Sequence, residues 1–378
     1  MTRNILHVIT GLEVGGAEMA LYRLILESLG SEYTHTVIAL TPEGGMYARF
    51  LQAGIKLIVL DFRRAPFSNL VRLVRLMRSL RPDVVQTWLY HADLLGGLAA
   101  RVAGVRNVIW GVRTTDVDGG CARATRWVRH LCAILSRLVP HTIVCVAEAA
   151  RRSHSRIGYD ATRMVVVGNG FDLSKLTASQ TQRSELRAQC GLGPHDIVLG
   201  TLGRFNLDKD HANFVAAAGK LTARHARLRF LMVGKGLDPG NADLAGWIAA
   251  TGHADRFVLL GERSDVAVCL SAMDIFCLSS RTEAFPNVVG EAMAMGLPCV
   301  ATDVGDVGVL MGDTGVIVPK ADPEALARGV TELVEHGPQY CEGMGRRARE
   351  RIHAVFTMAR VRERFEGIYE QVINGRKL

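Results

Sequence analysis

The chain has no apolar run approaching the roughly 20 residues that a membrane-spanning helix requires, because its longest apolar stretches are interrupted by Arg137, Pro140 and His141. No span is expected. A secretory leader is not expected either: Arg3 is followed only by a short apolar run at 5–9 that breaks at Gly11, so the expected location is the cytoplasm. Cysteine is present but unpatterned. The eight residues at 121, 132, 145, 190, 269, 277, 299 and 341 contain no C-x-x-C pair and have no histidines at zinc spacing. That argues against a disulfide frame or a metal site and predicts buried free thiols in a reducing compartment. No helix-turn-helix, zinc finger or aromatic-studded RNA motif accompanies the basic residues, so nucleic acid is not an expected partner.

What is present is enough for two domains. Single cores rarely grow past about 250 residues, and 378 residues at 48% apolar content can fill two. Strand patterns at 5–9, 36–40, 56–60, 84–87, 108–112, 142–146 and 164–167 alternate with helical patterns such as 17–29 and 93–103. A second series follows at 197–203, 228–233, 257–260, 275–278, 299–302 and 316–318. This alternation predicts α/β architecture with two doubly wound parallel sheets. The polar stretch 174–182 reads as the linker. The expected domains are 1–172 and 173–350, followed by a terminal helical segment at 351–378 whose apolar positions include Phe356, Val361, Phe365, Ile368 and Tyr369.

Charge is uneven. Residues 1–170 carry 21 Lys+Arg against 12 Asp+Glu, and residues 171–378 carry 24 against 25. Two amphipathic segments concentrate the excess. Arg72, Arg75, Arg78 and Arg81 read as the solvated face of a packed helix. Arg123, Arg126 and Arg129 lie beside Trp127, Leu131, Ile134, Leu135 and Leu138, so the 121–139 segment is a candidate for contact with an anionic membrane as well as for a solvated face.

The most informative stretch is Arg281-Thr282-Glu283-Ala284-Phe285-Pro286-Asn287-Val288-Val289-Gly290-Glu291. It follows an apolar strand, and Pro286 occupies an expected first helical position, placing Glu283 on a loop and Glu291 about a turn into the helix. The carboxylates would be about 12 Å apart if the segment were fully helical. A helix N-terminus suits a diphosphate, and flanking carboxylates can accept hydroxyl hydrogen bonds. Alone, such a pair is most often a solvated helix face. Arg204 and Lys209 follow the 197–203 strand, where they can neutralise a diphosphate or form surface ion pairs with Asp208 or Asp210. The Gly11–Gly16 loop gives an anion close access to backbone, although a double glycine by itself is more often a tight turn. That loop lacks G-x-G-x-x-G order, which disfavours a dehydrogenase.

Together the Glu283/Glu291 pair, Gly15-Gly16-Ala17-Glu18, Gly168-Asn169-Gly170-Phe171-Asp172 and Gly203-Arg204…Lys209 resemble the motifs of family 4 retaining glycosyltransferases, especially bacterial enzymes of surface-polysaccharide synthesis. The resemblance covers most of the chain. It implies the GT-B fold and a nucleoside diphosphate sugar, most readily a UDP-sugar, as co-substrate with no resident cofactor or metal. It further implies catalytic roles for Arg204, Lys209 and Glu283. Donor contacts would come from Gly15, Gly16, Arg204, Lys209, Arg263, Glu283, Phe285, Pro286, Asn287, Val288 and Glu291. The expected acceptor is a hydroxyl, on a lipid-linked saccharide or otherwise, and the expected placement is peripheral, on the cytoplasmic face of an anionic membrane.

The chain departs from the family pattern at one point. Where many members have a histidine near the transferred sugar, this chain reads Trp110-Gly111-Val112-Arg113-Thr114-Thr115-Asp116. Arginine cannot serve as a base near neutral pH, so Arg113 is a candidate for binding acceptor or donor oxygens. His91 is a second acceptor candidate, its alternative being a helix-cap or packing role. A non-hydrolysing sugar-nucleotide epimerase and a non-catalytic membrane-associated scaffold are the alternatives to transfer.

Overall fold

The computed structural model describes residues 2–42, 44–115 and 123–375. They form two compact units, residues 1–170 with 358–378 and residues 171–357. The first contains β1 (Arg3–Ile9), β2 (Tyr33–Ala39), β3 (Lys56–Val59), β4 (Val84–Trp88), β5 (Val108–Val112), β6 (Thr142–Cys145) and β7 (Met164–Val166). They pair in parallel in the order β3-β2-β1-β4-β5-β6-β7. Central strands of such a sheet are covered on both faces, which is why Ile5, Leu6, Val8 and Ile9 are all apolar and fully buried. The Met358–Ile373 helix completes this core with Val361, Phe365, Ile368 and Tyr369.

The second unit repeats the scheme with β8 (Ile197–Leu202), β9 (Leu228–Val233), β10 (Phe257–Gly261), β11 (Ile275–Leu278), β12 (Cys299–Thr302) and β13 (Val316–Val318). Its parallel order is β10-β9-β8-β11-β12-β13. In each sheet the order reverses once, between β1 and β4 and between β8 and β11. Ligands of open α/β sheets bind beyond the carboxyl ends of the strands at such switch points, so each unit has one place where a site is expected.

Three expectations change. The stretch read as a linker ends in structure: Gln180–Gln189 is a helix, and Ser179 and Gln182 form a reciprocal capping box at its start. The expected boundary at 351 falls inside the Pro338–Val355 helix, which belongs to the second unit, so the terminal helix of the first unit is Met358–Ile373. The third change concerns the Arg123–Leu135 helix, in which Arg129 is buried while Trp127 is 70% and Ile134 53% exposed. A spacing of three falls 60° short of a full turn at each step, so Arg129 lies 120° around the helix from Arg123 and faces inward. Residues 116–122, including Asp116 and Cys121, lie outside the described residues. Among the described residues no helix is long and apolar enough to cross a membrane.

Candidate active site

At the β8–β11 switch point the chain leaves β8 through Gly203 and Arg204. A short turn, Leu207–Lys209, follows, and its N–H at Lys209 is capped by the Asn206 side chain at 3.0 Å. The Lys209 ammonium meets Glu283 Oε1 at 2.5 Å, and both side chains are largely buried. Ser280 donates to the same carboxylate oxygen at 2.7 Å, and Ser279 donates to the Lys209 carbonyl at 2.9 Å. The two loops are thus tied by side chain and backbone. The ion-pair alternatives with Asp208 and Asp210 are not what forms: Asp210 is held by Arg281 at 2.7 and 3.2 Å, and Arg204 is exposed. Behind Arg204, His211 is buried, stacks on Phe205 and bonds the Arg204 carbonyl at 3.3 Å. Burial pushes the imidazole down to about 4, so it is neutral and donates from Nε2.

Pro286 precedes the helix and is not its first residue. With φ −79° and ψ 82° it caps the Asn287–Ala294 helix, so residues 283–286 are not helical and the 12 Å estimate does not apply. Asn287 and Val288 occupy the first turn and Glu291 the second. The Phe285 ring is buried between Phe171 and Phe356 at 6.2 and 5.9 Å, which leaves its backbone, and not its ring, for any ligand. Arg263 stands apart from this group. It follows the edge strand β10 and is closed on Asp265 at 2.8 and 2.5 Å.

Sequence reading missed Gly305. Its φ is +57°, and a Cβ there would run into the Glu283 and Ala284 carbonyls, while Asp306 N–H bonds the Ala284 carbonyl at 3.0 Å. Gly305 therefore sets the peptide carrying Glu283. Its only sequence signal is its place after β12. A cavity of about 470 Å³ lies at the other end of this sheet, beside Ile197, Ile275, Leu297 and Leu333. None of the candidate residues lines it.

In the first unit, the loop after β1 enters the Gly16–Glu27 helix with Gly15 at its cap. It is braced from behind by a bond from Thr41 Oγ1 to the Thr10 carbonyl at 3.0 Å and from Met46 N–H to the Leu12 carbonyl at 2.9 Å. A side chain on Gly15 would collide with the Glu18 carboxylate, whose burial raises its pKa. After β4, Leu89 takes φ +75° at the start of the Tyr90–Ala103 helix, a conformation costing roughly 1–3 kcal/mol. His91 is half-buried in that first turn. Asp93 is fully buried and accepts from Thr87 Oγ1 at 2.5 Å and Gly111 N–H at 3.2 Å. Desolvation pushes its carboxyl up to about 8. Arg113, at the end of β5, lies over Trp88 at 5.1 Å and donates to Asn169 Oδ1 at 2.5 Å. Among the described residues no group of three or more His, Cys, Asp or Glu is arranged to hold a metal ion.

Two family models match: "Glycosyltransferase Family 4" over residues 14–175 and "Glycosyl transferases group 1" over residues 196–336. The chain belongs to the family 4 glycosyltransferases and has the GT-B fold. Its relatives include alpha-D-kanosaminyltransferase of Streptomyces kanamyceticus, 31% identical over 53% of this chain and 52% of the relative. Another is the UDP-Gal:alpha-D-GlcNAc-diphosphoundecaprenol alpha-1,3-galactosyltransferase of Escherichia coli, 23% identical over 81% of this chain and 80% of the relative. The match spans about half the length of the first curated relatives. Among solved structures, Anabaena Alr3699/HepE in complex with UDP and glucose is similar over 98% of this chain and 100% of that one, with a TM-score of 0.84 at 20% identity.

Proposed function

We propose that this glycosyltransferase moves a hexosyl group from a UDP-sugar to a hydroxyl acceptor with retention of configuration. The observation that carries the reading is the Lys209–Glu283 pair, held at 2.5 Å by Asn206 and Ser280 beside the N-terminus of the Asn287–Ala294 helix. A buried ion pair of this kind is weak evidence of stability, but it pre-positions a cation and an acceptor for a ligand bearing both phosphate and hydroxyls. Lys209 and Arg204 neutralise the departing diphosphate. Glu283 accepts from donor sugar hydroxyls, and Glu291 accepts from the ribose. The helix N–H groups at Asn287 and Val288 add donors to the phosphates. With two side-chain cations available, the step needs no divalent metal. We assign no described side chain to covalent attack; the acceptor hydroxyl attacks on the face that the diphosphate leaves, and the leaving phosphate takes its proton. The crystal structures of Anabaena HepE with UDP and with UDP-glucose support the choice of donor.

For the acceptor we infer a lipid-diphosphate-linked saccharide reached at an anionic membrane. Trp127, Leu131 and Ile134 are exposed within one narrow arc of the Arg123–Leu135 helix, and Leu138 is 71% exposed just beyond it. Arg123, Arg126 and Arg137 are exposed around them, and the sequence holds no Asp or Glu from 123 to 147. Apolar and basic groups together without carboxylates suit an interface with anionic lipid. The three arginines could add roughly 3 kcal/mol. The name of the Escherichia coli relative, which includes a diphosphoundecaprenol acceptor, supports this choice.

A thermal-shift panel of UDP-, GDP- and ADP-sugars tests the donor, since a ligand of the native state raises its stability. UDP-sugars should shift the midpoint most, and no shift by any nucleotide sugar would sink the reading. Incubation with the sugar nucleotide alone should give slow hydrolysis, whereas an epimerised product would replace transfer with the epimerase. Binding to anionic but not zwitterionic vesicles, lost at high salt, tests the membrane contact.

A further inference from the structure

Arg113 is a cation with no counter-ion among the described residues. The guanidinium sits at the carboxyl edge of the first sheet, at the end of β5. No carboxylate among the described residues lies within ion-pair distance, and its Nε is buried with no hydrogen-bond partner. Leaving a desolvated charge and a donor unmatched costs free energy, so a structure that keeps such a group holds it for something absent from the free chain. Burial draws its pKa down to about 10, with Glu18 only partly offsetting the effect.

The side chain is also held in place. Its guanidinium lies 5.1 Å over the Trp88 ring, and Trp88 is itself 1% exposed and anchored by its indole N–H to His7 Nδ1 at 3.3 Å. Asn169, after β7, takes one Nη at 2.5 Å. The backbone two residues before Arg113 is pinned by Asp93, which accepts the Gly111 N–H. Four strand ends thus converge on the edge. At the end of β1, Thr10 Oγ1 is a second buried polar atom without a partner. A long cationic side chain ordered in advance loses little freedom on binding an anion.

We propose that Arg113 is a specificity-determining residue that recognises a carboxylate or phosphate on the saccharide substrate, so that the protein acts on anionic sugars, either a hexuronic acid or a sugar phosphate. The inference rests on the glycosyltransferase reading and names the substrate class of that site. A neutral sugar would leave the guanidinium uncompensated. A planar carboxylate or phosphate matches its fork.

Calorimetry in the presence of saturating UDP, using glucose, glucuronate and glucose 6-phosphate as probes, tests it alongside direct titration of UDP-glucose against UDP-glucuronate. The expected result is at least about tenfold tighter binding of one anionic probe than of its neutral counterpart. Arg113→Gln should erase that preference with the affinity for UDP unchanged and the melting temperature of the free protein equal or higher, since an uncompensated cation is removed. Arg113→Lys, the second variant, should keep a reduced preference. A preference for UDP-glucuronate would place the charge on the donor, and one confined to the free sugars would place it on the acceptor. Equal binding of neutral and anionic probes by the wild type, or a preference that survives Arg113→Gln, overturns the proposal. Failure to bind UDP at all would instead remove the donor reading beneath it.

Discussion

The two sheets share one strand order and one kind of switch point, yet their carboxyl edges are built in opposite ways. At the second, charge is paired: Lys209 with Glu283 and Asp210 with Arg281. At the first, Arg113 has no ion-pair partner among the described residues and its Nε is unpartnered, as is one carboxyl oxygen of the buried Asp93. The difference separates charged side chains that pair before a ligand arrives from buried ones that have no such pair among the described residues. It extends to the histidines. Burial lowers the pKa of His7, His35, His91, His141 and His154 in the first unit, and of His211 in the second.

The largest expected effect follows from that asymmetry. His35 and His154 are held at about 4 against an ordinary value near 6.5, so the unfolded chain takes up these protons before the folded chain does. Their contribution to stability is complete above about pH 6.5 and drains as pH falls toward 4, on the order of 3 kcal/mol each. Asp93 acts in the other sense: held up at about 8, it favours the fold in acid and costs stability as pH rises toward 8. Hydrogen exchange at pH 7 and pH 5 should show amides of the first unit losing protection before those of the second. Equal loss in both units would break the comparison.

Next in size is catalysis at the paired edge. Replacing Lys209 or Arg204 by alanine should lower kcat by about 100-fold or more. Near-wild-type turnover of Lys209→Ala at saturating donor would remove the assigned role. The smallest effect divides the two carboxylates. Glu291→Gln should weaken binding of UDP itself by about tenfold, the scale of one hydrogen bond to a charged group, whereas Glu283→Gln should leave UDP binding near wild type and lower turnover. Equal loss of UDP affinity in both would reject the division.

The strands were legible because the inner strands of a parallel sheet are buried on both faces, so 228–233, 275–278 and 299–302 stand out as apolar runs and form at the expected bounds, as does the short edge strand 316–318. The start of β2 did not stand out, because Thr34 and His35 interrupt its apolar character while its backbone continues the ladder with β1. At the site, the loops bearing Arg204, Lys209 and Glu283 were marked by their places after strands. What fixes them was not, since Ser280, Asn206 and Gly305 act through contacts that only the folded chain brings together. The inward turn of Arg129 escaped a reading based on spacing by threes, which treats a drifting line on the helix as one face.

Hydrogen exchange with and without UDP tests the central claim most directly, that the β8–β11 edge is the nucleotide site. New protection is expected to concentrate at residues 203–211 and 280–291. Protection absent from both segments, with UDP bound, would contradict it.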